Sequence, residues 1–297
     1  MGSNGGAEGA RYVKTSITGH SIANEVRMKR TQHKGAFLLV EGENDVRAMR
    51  AFVDSASCHV VIAHGKGNAV TAISILRGSE NGVLGLLDAD FERVMGTVPT
   101  DPNIVLTDTH DMDAQLFFSP ALDKVLAEFS DAKLASDFVT NAGSDIRTRV
   151  IQSASLIGHI RLYSAQRRAG LNFDGLDLPA FLDKKTLEVD ESVLANDLVT
   201  RSPGCTARIP DLRNALLTSL SKGHPVEQMC CGHDLVSVLQ FGLVNSFGAY
   251  NARSLTPQAL AGNLRIAYSD QIFRNTGLYH EIREWEKRNH PFRILRQ

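Results

Sequence analysis

The sequence predicts an α/β protein with a mainly parallel sheet, followed by a mostly helical domain. Four short apolar runs in the first 110 residues lack the polar–apolar alternation of half-exposed strands, as expected for strands covered on both faces. Segments with helical spacing of apolar residues lie between these runs. From about Pro120 onward the chain changes to long segments with helical spacing. Strands that alternate with helices and are followed by helices alone are typical of this fold class.

The predicted elements of the first part follow in chain order. The segment "HSIANEVRMKR" predicts a short helix. The runs "AFLLV", "HVVIA", "GVLGLL" and "NIVL" predict four strands. The segments "ENDVRAMRAFVDSAS" and "NAVTAISILRG" predict helices after the first two strands, and Gly78 is a suitable residue to end the second helix.

The second part predicts helices joined by connectors. Five segments have apolar faces at helical spacing, and "LNFDGLDLPAFLDKKTLEVDES" predicts a connector with a short helix. The five segments begin at "ALDKVLAEF", "SDIRTRV", "DLRNALL", "HDLVSVL" and "LTPQALA". We therefore predict a flexible N-terminal segment with a short helix over residues 1–34, a catalytic α/β domain over residues 35–118 and a helical domain over residues 119–297.

Composition limits the class of protein but names no partner. The chain has 297 residues, 43% of them hydrophobic, and a formal net charge of −1. Residues 1–114 carry 11 basic against 14 acidic side chains, so the first part is slightly acidic and the rest slightly basic. The four cysteines form no CxxC pair and are expected to be reduced thiols. No apolar run approaches the roughly 20 residues of a membrane span, and we expect a soluble cytoplasmic protein.

Acidic residues follow three of the four predicted strands. Ligand sites of such sheets lie at the carboxyl ends of the strands, where these side chains would gather. Clustered carboxylates repel one another unless a cation lies between them, and Mg²⁺ prefers oxygen ligands. One ion, or two ions about 4 Å apart, would suit phosphodiester chemistry. The alternative is that the acids cap the helices that follow. The residues are Glu41, Asp45, Asp88, Asp90, Asp108, Asp111 and Asp113.

The spacing of these acids resembles that of the TOPRIM domain, a Rossmann-like fold found in topoisomerases, primases, recombination proteins and the overcoming-lysogenization-defect nucleases. Glu41, in a strand that ends in Glu-Gly, matches the signature glutamate of that domain. Asp88 and Asp90 match its D-x-D motif about fifty residues later. Asp45 is similar to an additional acid of the nuclease branch, which helps to bind a second ion there.

A narrower resemblance spans roughly residues 36–245. The stretches "VEGENDVRAM", "GLLDADF", "LTDTHDMDAQL" and "GHDLVSVL" are similar to a bacterial TOPRIM family encoded beside an ABC-type ATPase in phage-defence operons. That family includes the effector subunit of the PARIS system. Asp113 stands where the family would have glutamate. This resemblance implies a toxic effector of antiviral defence by abortive infection, acting as a homodimer and restrained by the ATPase.

The resemblance also implies a metal-dependent nuclease that hydrolyses DNA or RNA, tRNA included, with Mg²⁺ or Mn²⁺. Glu41 would act as general acid/base or as a metal ligand. The other acids would be ligands or would orient ligands: Asp45, Asp88, Asp90, Asp111 and Asp113. No further cofactor is expected. The rival expectation is a non-catalytic regulatory or binding subunit of an ATPase complex, with the same fold and a weak metal site.

Three basic features remain open to two interpretations each. Lys66, between Gly65 and Gly67 after the second strand, would contribute to catalysis by stabilising charge on a phosphate, or it would only begin a helix. The C-terminal "REWEKRNHPFRILRQ", with Trp285 and Phe292, would grip nucleic acid or dock a partner. Five arginines with Tyr163 among them would grip nucleic acid or form a solvated helix face. These arginines are Arg147, Arg149, Arg161, Arg167 and Arg168.

Overall fold

The computed structural model describes residues 17–297, and the predicted flexible start of the chain lies largely outside these residues. The described residues divide into two compact units. Unit 1 comprises the described residues up to Ala89 together with Val98–Asp108 and Asp270–Gln297. Unit 2 comprises Asp90–Thr97 and Thr109–Ser269. The predicted boundary near residue 118 differs from this division mainly in residues 270–297, which lie in unit 1.

Unit 1 contains a four-stranded sheet, counted over residues 17–297, and all its strand pairs are parallel. This confirms the predicted α/β class with a parallel sheet. The strand order is β2-β1-β3-β4, so β1 and β3 are neighbours although a strand lies between them in sequence. Every residue of β1 is buried, which explains why the run shows no alternation. The strands are β1 Ala36–Val40, β2 Cys58–Ile62, β3 Val83–Leu87 and β4 Ile104–Leu106.

Helices cover the sheet within unit 1. The predicted first helix, α1 (Gly19–Arg30), packs on α3 (Lys66–Leu76). The apolar residues of both helices form one core with Phe37 and Val61 of the strands. Gly19 permits this approach, because a Cβ at that position would lie 2.5 Å from the Cβ of Thr71. Gly78 has φ +77, which suits its predicted place just after α3. The helices of unit 1 are α1 Gly19–Arg30, α2 Glu43–Met49, α3 Lys66–Leu76, α15 Asp270–Arg274 and α16 Gly277–Arg288.

The C-terminal segment belongs to the core of unit 1. Trp285 in α16 is 0% exposed, and its Nε1 donates a hydrogen bond of 2.9 Å to Oδ1 of Asn103. Oε1 of Glu286 accepts hydrogen bonds from the backbone N–H groups of Ile294 and Leu295, at 2.6 and 2.7 Å. The segment interpreted above as a possible docking tail is therefore packed and hydrogen-bonded within unit 1 at these positions.

Unit 2 is built from helices, as the sequence predicts for most of this region. Helix α8, Ile146–Arg167, is the longest, with 22 residues. Gly158 lets it approach α12, Val226–Met229, so closely that a Cβ on Gly158 would clash with the carbonyl of Met229. The segment from "ALDKVLAEF" onward forms two helices, because Asp131 caps the second one by accepting from two backbone N–H groups. Among residues 17–297 no helix has both the length and the apolar character needed to cross a bilayer.

Five helices of unit 2 begin within two residues of the five predicted segments, whereas the helices Glu191–Thr200 and Val226–Met229 were not predicted. The short helix predicted in the connector is α9. A π-helix, Leu243–Phe247, and a 3₁₀-helix, Tyr250–Ser254, lie between α13 and α14. The α-helices are α4 Glu92–Met95, α5 Met112–Phe118, α6 Ala121–Phe129, α7 Ala132–Ala142, α8 Ile146–Arg167, α9 Leu178–Phe181, α10 Glu191–Thr200, α11 Ile209–Ser221, α12 Val226–Met229, α13 Gly232–Gly242 and α14 Pro257–Ala267.

Candidate functional site

Glu41 and Asp88 meet at the carboxyl ends of two neighbouring strands. Glu41 follows β1 and Asp88 follows β3, and the parallel pairing places these two strand ends side by side. Oε1 of Glu41 accepts a hydrogen bond of 3.0 Å from the backbone N–H of Asp88. Both residues are half-buried. The structure thus brings together two of the predicted site residues that are 47 positions apart in sequence.

Asp45 lies on the turn that follows Glu41. Its Oδ2 accepts a hydrogen bond of 2.8 Å from the backbone N–H of Gly42, which precedes the first residue of α2. The carboxylate is therefore held at the N-terminus of a short helix, where negative charge is favourable. Glu43, between Glu41 and Asp45, is exposed.

Thr107 fixes the backbone beside Asp88, and sequence reasoning gave it no role. Its Oγ1 accepts a hydrogen bond of 3.0 Å from the backbone N–H of Ala89, and its own N–H donates to the carbonyl of Leu87 at 3.0 Å. Thr107 is buried. A buried hydroxyl next to a predicted D-x-D motif is the signal that could have identified it, but only once the pairing of β3 with β4 is known.

Lys66 is the first residue of α3 and follows a turn with left-handed backbone. His64 has φ 57 and Gly65 has φ 115. The N–H of Gly65 donates a hydrogen bond of 3.0 Å to the carbonyl of Glu41, so the turn is tied to the backbone of a predicted catalytic residue. Lys66 is half-buried. Its role in catalysis remains a prediction.

Asp90, the second carboxylate of the D-x-D motif, is the first residue of unit 2 and is associated there with His110. Asp90 has φ 45, and its N–H donates to the carbonyl of His110 at 2.6 Å. Its Oδ1 lies 4.0 Å from Nε2 of His110, and its side chain is 51% exposed. Left-handed backbone at a residue other than glycine is held by surrounding structure and is common at functional sites.

His110 is a polar residue of this region that the sequence analysis left out of the site. It is buried, with its ring 4.6 Å from that of Phe91. Its Nδ1 lies 3.1 Å from the carbonyl oxygen of Gln228, and a carbonyl only accepts, so Nδ1 carries the hydrogen. In the neutral ring the acceptor nitrogen is then Nε2, the atom nearest to Asp90.

Asp111 has a structural role in unit 2. Its Oδ1 accepts from the backbone N–H of Ala114 at 2.7 Å, which caps α5. Its Oδ2 accepts from the backbone N–H of Gly232, the first residue of α13, at 2.8 Å. A single carboxylate therefore joins the starts of two helices. Its role as a metal ligand remains a prediction.

Asp113 lies in the first turn of α5 and pairs with a cation. Its Oδ1 is 3.3 Å from Nη1 of Arg265 in α14, and both side chains are largely shielded from water. This pair already supplies positive charge to the carboxylate, so Asp113 needs no metal ion for its neutralisation.

A second group of metal-ligating atoms includes a cysteine. Ligand atoms of His110, Asp111 and Cys231 all lie within 4.8 Å of one another. Burial raises the pKa of the Cys231 thiol well above its usual value, and the nearby carboxylates of Asp111 and Asp234 raise it further. Since a thiolate is the ligand form of cysteine, the surroundings of Cys231 disfavour a metal–thiolate bond.

The predicted arginine stripe separates into two sets. Arg161 holds the buried carboxylate of Asp234, which is 3% exposed, through two hydrogen bonds of 2.7 and 2.8 Å. Burial alone would lower the pKa of Arg161, but its bonds with Asp234 outweigh this effect and the pKa is raised. Arg147 bonds Asp123 and the carbonyl of Phe117 at 2.8 and 2.9 Å.

Arg149 also belongs to the structural set, because it pairs with Glu188 at 3.6 Å and donates to the carbonyl of Ala142. Arg167 and Arg168 at the end of α8 are exposed. Only these two arginines of the stripe remain available to a ligand in water.

A comparison of the chain with protein-family models gives no match, and a search of curated proteins gives no significant match either.

Proposed function

We propose that this protein is a Mg²⁺-dependent nuclease of the TOPRIM type, which hydrolyses phosphodiester bonds in DNA or RNA. The observation that carries the proposal is the hydrogen bond between the Glu41 carboxylate and the backbone N–H of Asp88. It places a glutamate and an aspartate at the carboxyl ends of adjacent parallel strands, where α/β sheets bind ligands. The spacing of Glu41 and Asp88 in sequence matches that of the TOPRIM signature residues.

The donor set of unit 1 fits the proposed ion. Glu41, Asp45 and Asp88 offer carboxylate oxygens, and no sulfur or nitrogen donor is required. Hard oxygen donors suit Mg²⁺ and Mn²⁺ better than they suit zinc. When bound, such an ion stabilises negative charge on the phosphoryl group and favours ionisation of an attacking water. Asp90 completes the D-x-D motif in sequence and remains a predicted ligand.

Two side chains of unit 1 would supply the proton transfer and the charge stabilisation that the reaction also needs. The Glu41 carboxylate, oriented by the Asp88 backbone, would accept a proton from the attacking water. Lys66 would offer its ammonium group to a phosphate oxygen at the start of α3. The bond from Gly65 to the Glu41 carbonyl keeps the Lys66 turn next to the strand that carries the base.

The wider role follows from the family resemblance. We propose a toxic effector of antiviral defence, active in the cytoplasm as a homodimer and controlled by an ABC-type ATPase. tRNA is a candidate substrate beside DNA. A nuclease that is toxic when unrestrained requires such control, which is the reason for including a partner in the proposal.

The proposal is tested by cleavage of plasmid DNA and of total tRNA, with Mg²⁺ or Mn²⁺, by the wild type and by Glu41→Gln and Asp88→Asn. Glu43→Gln is the matched control, because it removes an exposed carboxylate from the same turn. We expect cleavage by the wild type and the control and a loss of at least a hundredfold in the two site variants. Equal residual activity in all four proteins would identify a contaminant and contradict the proposal.

The alternative is a non-catalytic regulatory or binding subunit of an ATPase complex. It is favoured by the engagement of Asp111 with two backbone amides and by the pairing of Asp113 with Arg265, since both acids then have structural partners. Calorimetric titration with Mg²⁺ separates the two candidates. Binding that is lost in Asp88→Asn supports the nuclease, whereas co-purification with an ATPase without metal binding supports the alternative.

A further inference from the structure

A polar cavity of about 610 Å³ lies within unit 2, between α8 and α11. Its volume is in the range of roughly 300–1,000 Å³ that is typical of small-ligand sites. The lining residues recur every three or four positions along each helix, so one face of α8 and one face of α11 form its walls. The side chains that matter for a ligand are His159, Tyr163, Arg167, Asn214, Thr218 and Lys222.

The floor of the cavity is uncharged near neutral pH. His159 is 4% exposed, and its Nδ1 lies 2.6 Å from Oγ of Ser219. Burial, together with the smaller effect of the neighbouring His224, lowers the pKa of His159 to about 4. The imidazole is therefore neutral and offers polar atoms without charge.

The two helices run in opposite directions along the cavity. The hydrogen bond between His159 and Ser219 fixes one point of contact. The backbone N–H of Thr206, shortly before α11, donates a hydrogen bond of 3.0 Å to the carbonyl of Ala169, shortly after α8, and this fixes a second point. Later residues of α8 therefore lie opposite earlier residues of α11.

Two cations mark the ends of this antiparallel pair. Arg167 is the last residue of α8 and Lys222 follows the last residue of α11. Neither forms a salt bridge with any of residues 17–297. Lys222 lies three residues beyond Ser219, the partner of His159, so the two cations are separated by about eleven residues of helix, or about 16 Å. The one acid of the lining, Asp211, is already paired with Arg208 at 3.1 Å.

Tyr163 and the uncharged polar groups lie between these cations. Tyr163 is half-buried on α8 and lines the cavity, and Asn214 and Thr218 on α11 bring polar groups to it. A ring platform, amide and hydroxyl groups and flanking cations match a flat base with polar edges that carries a phosphate. The helix α8 offers positive charge to a ligand at this cleft, because its other arginines are engaged in structural bonds: Arg147, Arg149 and Arg161.

We propose that the cleft between α8 and α11 binds a nucleoside phosphate, with the base on Tyr163 and phosphate on Arg167 or Lys222. The ligand is either a free nucleotide or one nucleotide of a single strand. The site lies in unit 2 and goes beyond the proposed nuclease activity, because ligand binding there needs neither Glu41 nor a metal ion.

Fluorescence anisotropy tests the proposal on the full chain in EDTA, which excludes cleavage. The probes are labelled single-stranded DNA and RNA dodecamers of one sequence, with AMP and inorganic phosphate as competitors. The variants are Tyr163→Ala, Tyr163→Phe, Arg167→Ala and Lys222→Ala. Lys133→Ala, an exposed cation of α7 outside the cavity, is the matched control.

We expect Tyr163→Ala to weaken binding at least about fivefold, because stacking on an aromatic ring contributes about that much per base, while Tyr163→Phe and Lys133→Ala bind as the wild type does. For the dodecamers, the variant that removes the phosphate-binding cation, Arg167→Ala or Lys222→Ala, should reduce the slope of log K against log salt by about 0.7. A merely structural role would not change this slope. Competition by AMP at the affinity of the dodecamers identifies a free nucleotide, and weaker competition identifies a strand.

Three outcomes would overturn the proposal. Absence of saturable binding up to millimolar AMP and micromolar dodecamer is the first. Binding that is unchanged in Tyr163→Ala and in both cation variants is the second. Inorganic phosphate that competes as well as AMP is the third, because it would reveal an anion site without base recognition. None of these results bears on cleavage, so the nuclease proposal is judged separately.

Discussion

Asp111 offers the sharpest test of whether an acid of the predicted metal set is structural. Asp111→Ala removes the acceptor for the Ala114 N–H at 2.7 Å, and loss of an N-cap costs about 1 kcal/mol. It also leaves the buried N–H of Gly232 without its acceptor at 2.8 Å, which costs about 1–3 kcal/mol. The expected loss in the free energy of unfolding is therefore about 3 kcal/mol.

Urea and thermal unfolding, followed by far-UV circular dichroism in EDTA, measure this loss without any contribution from metal. For a unit of this size, about 3 kcal/mol corresponds to about 6–12 °C in the melting temperature. Asp131→Ala is the matched control, because Asp131 also caps a helix of unit 2 but accepts only from that helix. The control should lose only about 1 kcal/mol.

The difference in unfolding free energy between Asp111→Ala and Asp131→Ala gives the contribution of the bond to Gly232. The unfolding free energy of Asp111→Asn should fall between those of wild type and Asp111→Ala, because its amide nitrogen cannot accept a hydrogen bond. An Asp111→Ala protein within about 0.5 kcal/mol of wild type would refute the structural role. If that protein also lost a stabilisation by Mg²⁺ that wild type shows, Asp111 would be a metal ligand instead.

Three further perturbations follow from buried contacts. Asp234→Ala leaves the Arg161 guanidinium buried without its carboxylate and should cost about 3–5 kcal/mol in urea unfolding, whereas Arg161→Met combined with Asp234→Leu should recover most of the loss. The pKa of His159 is lowered in the folded state to about 4, so the stability that this group contributes is present above pH 6.5 and is lost as the pH falls towards 4. His159→Asn should flatten that pH dependence of the unfolding free energy. Trp285→Ala empties a fully buried site in unit 1 and should cost about 3–5 kcal/mol by circular dichroism, and Trp285→Phe, which loses the bond to Asn103, should cost less.

Each of these expectations has a contrary result. A double variant no more stable than Asp234→Ala would show that the loss in Asp234→Ala does not come from the unpaired guanidinium. Parallel pH profiles for wild type and His159→Asn would mean that the histidine is protonated as readily in the folded as in the unfolded chain. Equal losses for Trp285→Ala and Trp285→Phe would assign the effect to the hydrogen bond and not to ring burial.

The sequence predicted the strands well because the evidence for them is local. The run Phe37–Val40 is apolar throughout, and the Glu41 that follows it marks the end of a buried strand. The convergence of Glu41 with Asp88 was also predictable, because parallel strands end at one edge of the sheet. The order β2-β1-β3-β4 was not, since local patterns carry no information on which strands pair.

Features that depend on distant partners were missed. Asp111 has the sequence context of a metal ligand, and its structural partner Gly232 lies 121 residues away. The stripe of arginines on α8 looks uniform, yet Arg161 is fixed by Asp234, 73 residues later. A role for His110 in the site was not predicted, because its partner is the carbonyl of Gln228. Gln228 lies in a short helix that no local pattern connects with β4. In each case the missing information is a long-range contact.

The return of residues 270–297 to unit 1 has a consequence for biosynthesis. The ribosome delivers all four strands first and then the whole of residues 109–269 before Trp285 is made. At about 5–20 residues per second, the sheet waits roughly 10–30 s for its last helix. During that interval the residues that Trp285, Ile294 and Leu295 later cover are exposed to water and to chaperones. A nascent chain that stalls before residue 270 therefore carries the acidic strand ends on an unfinished unit.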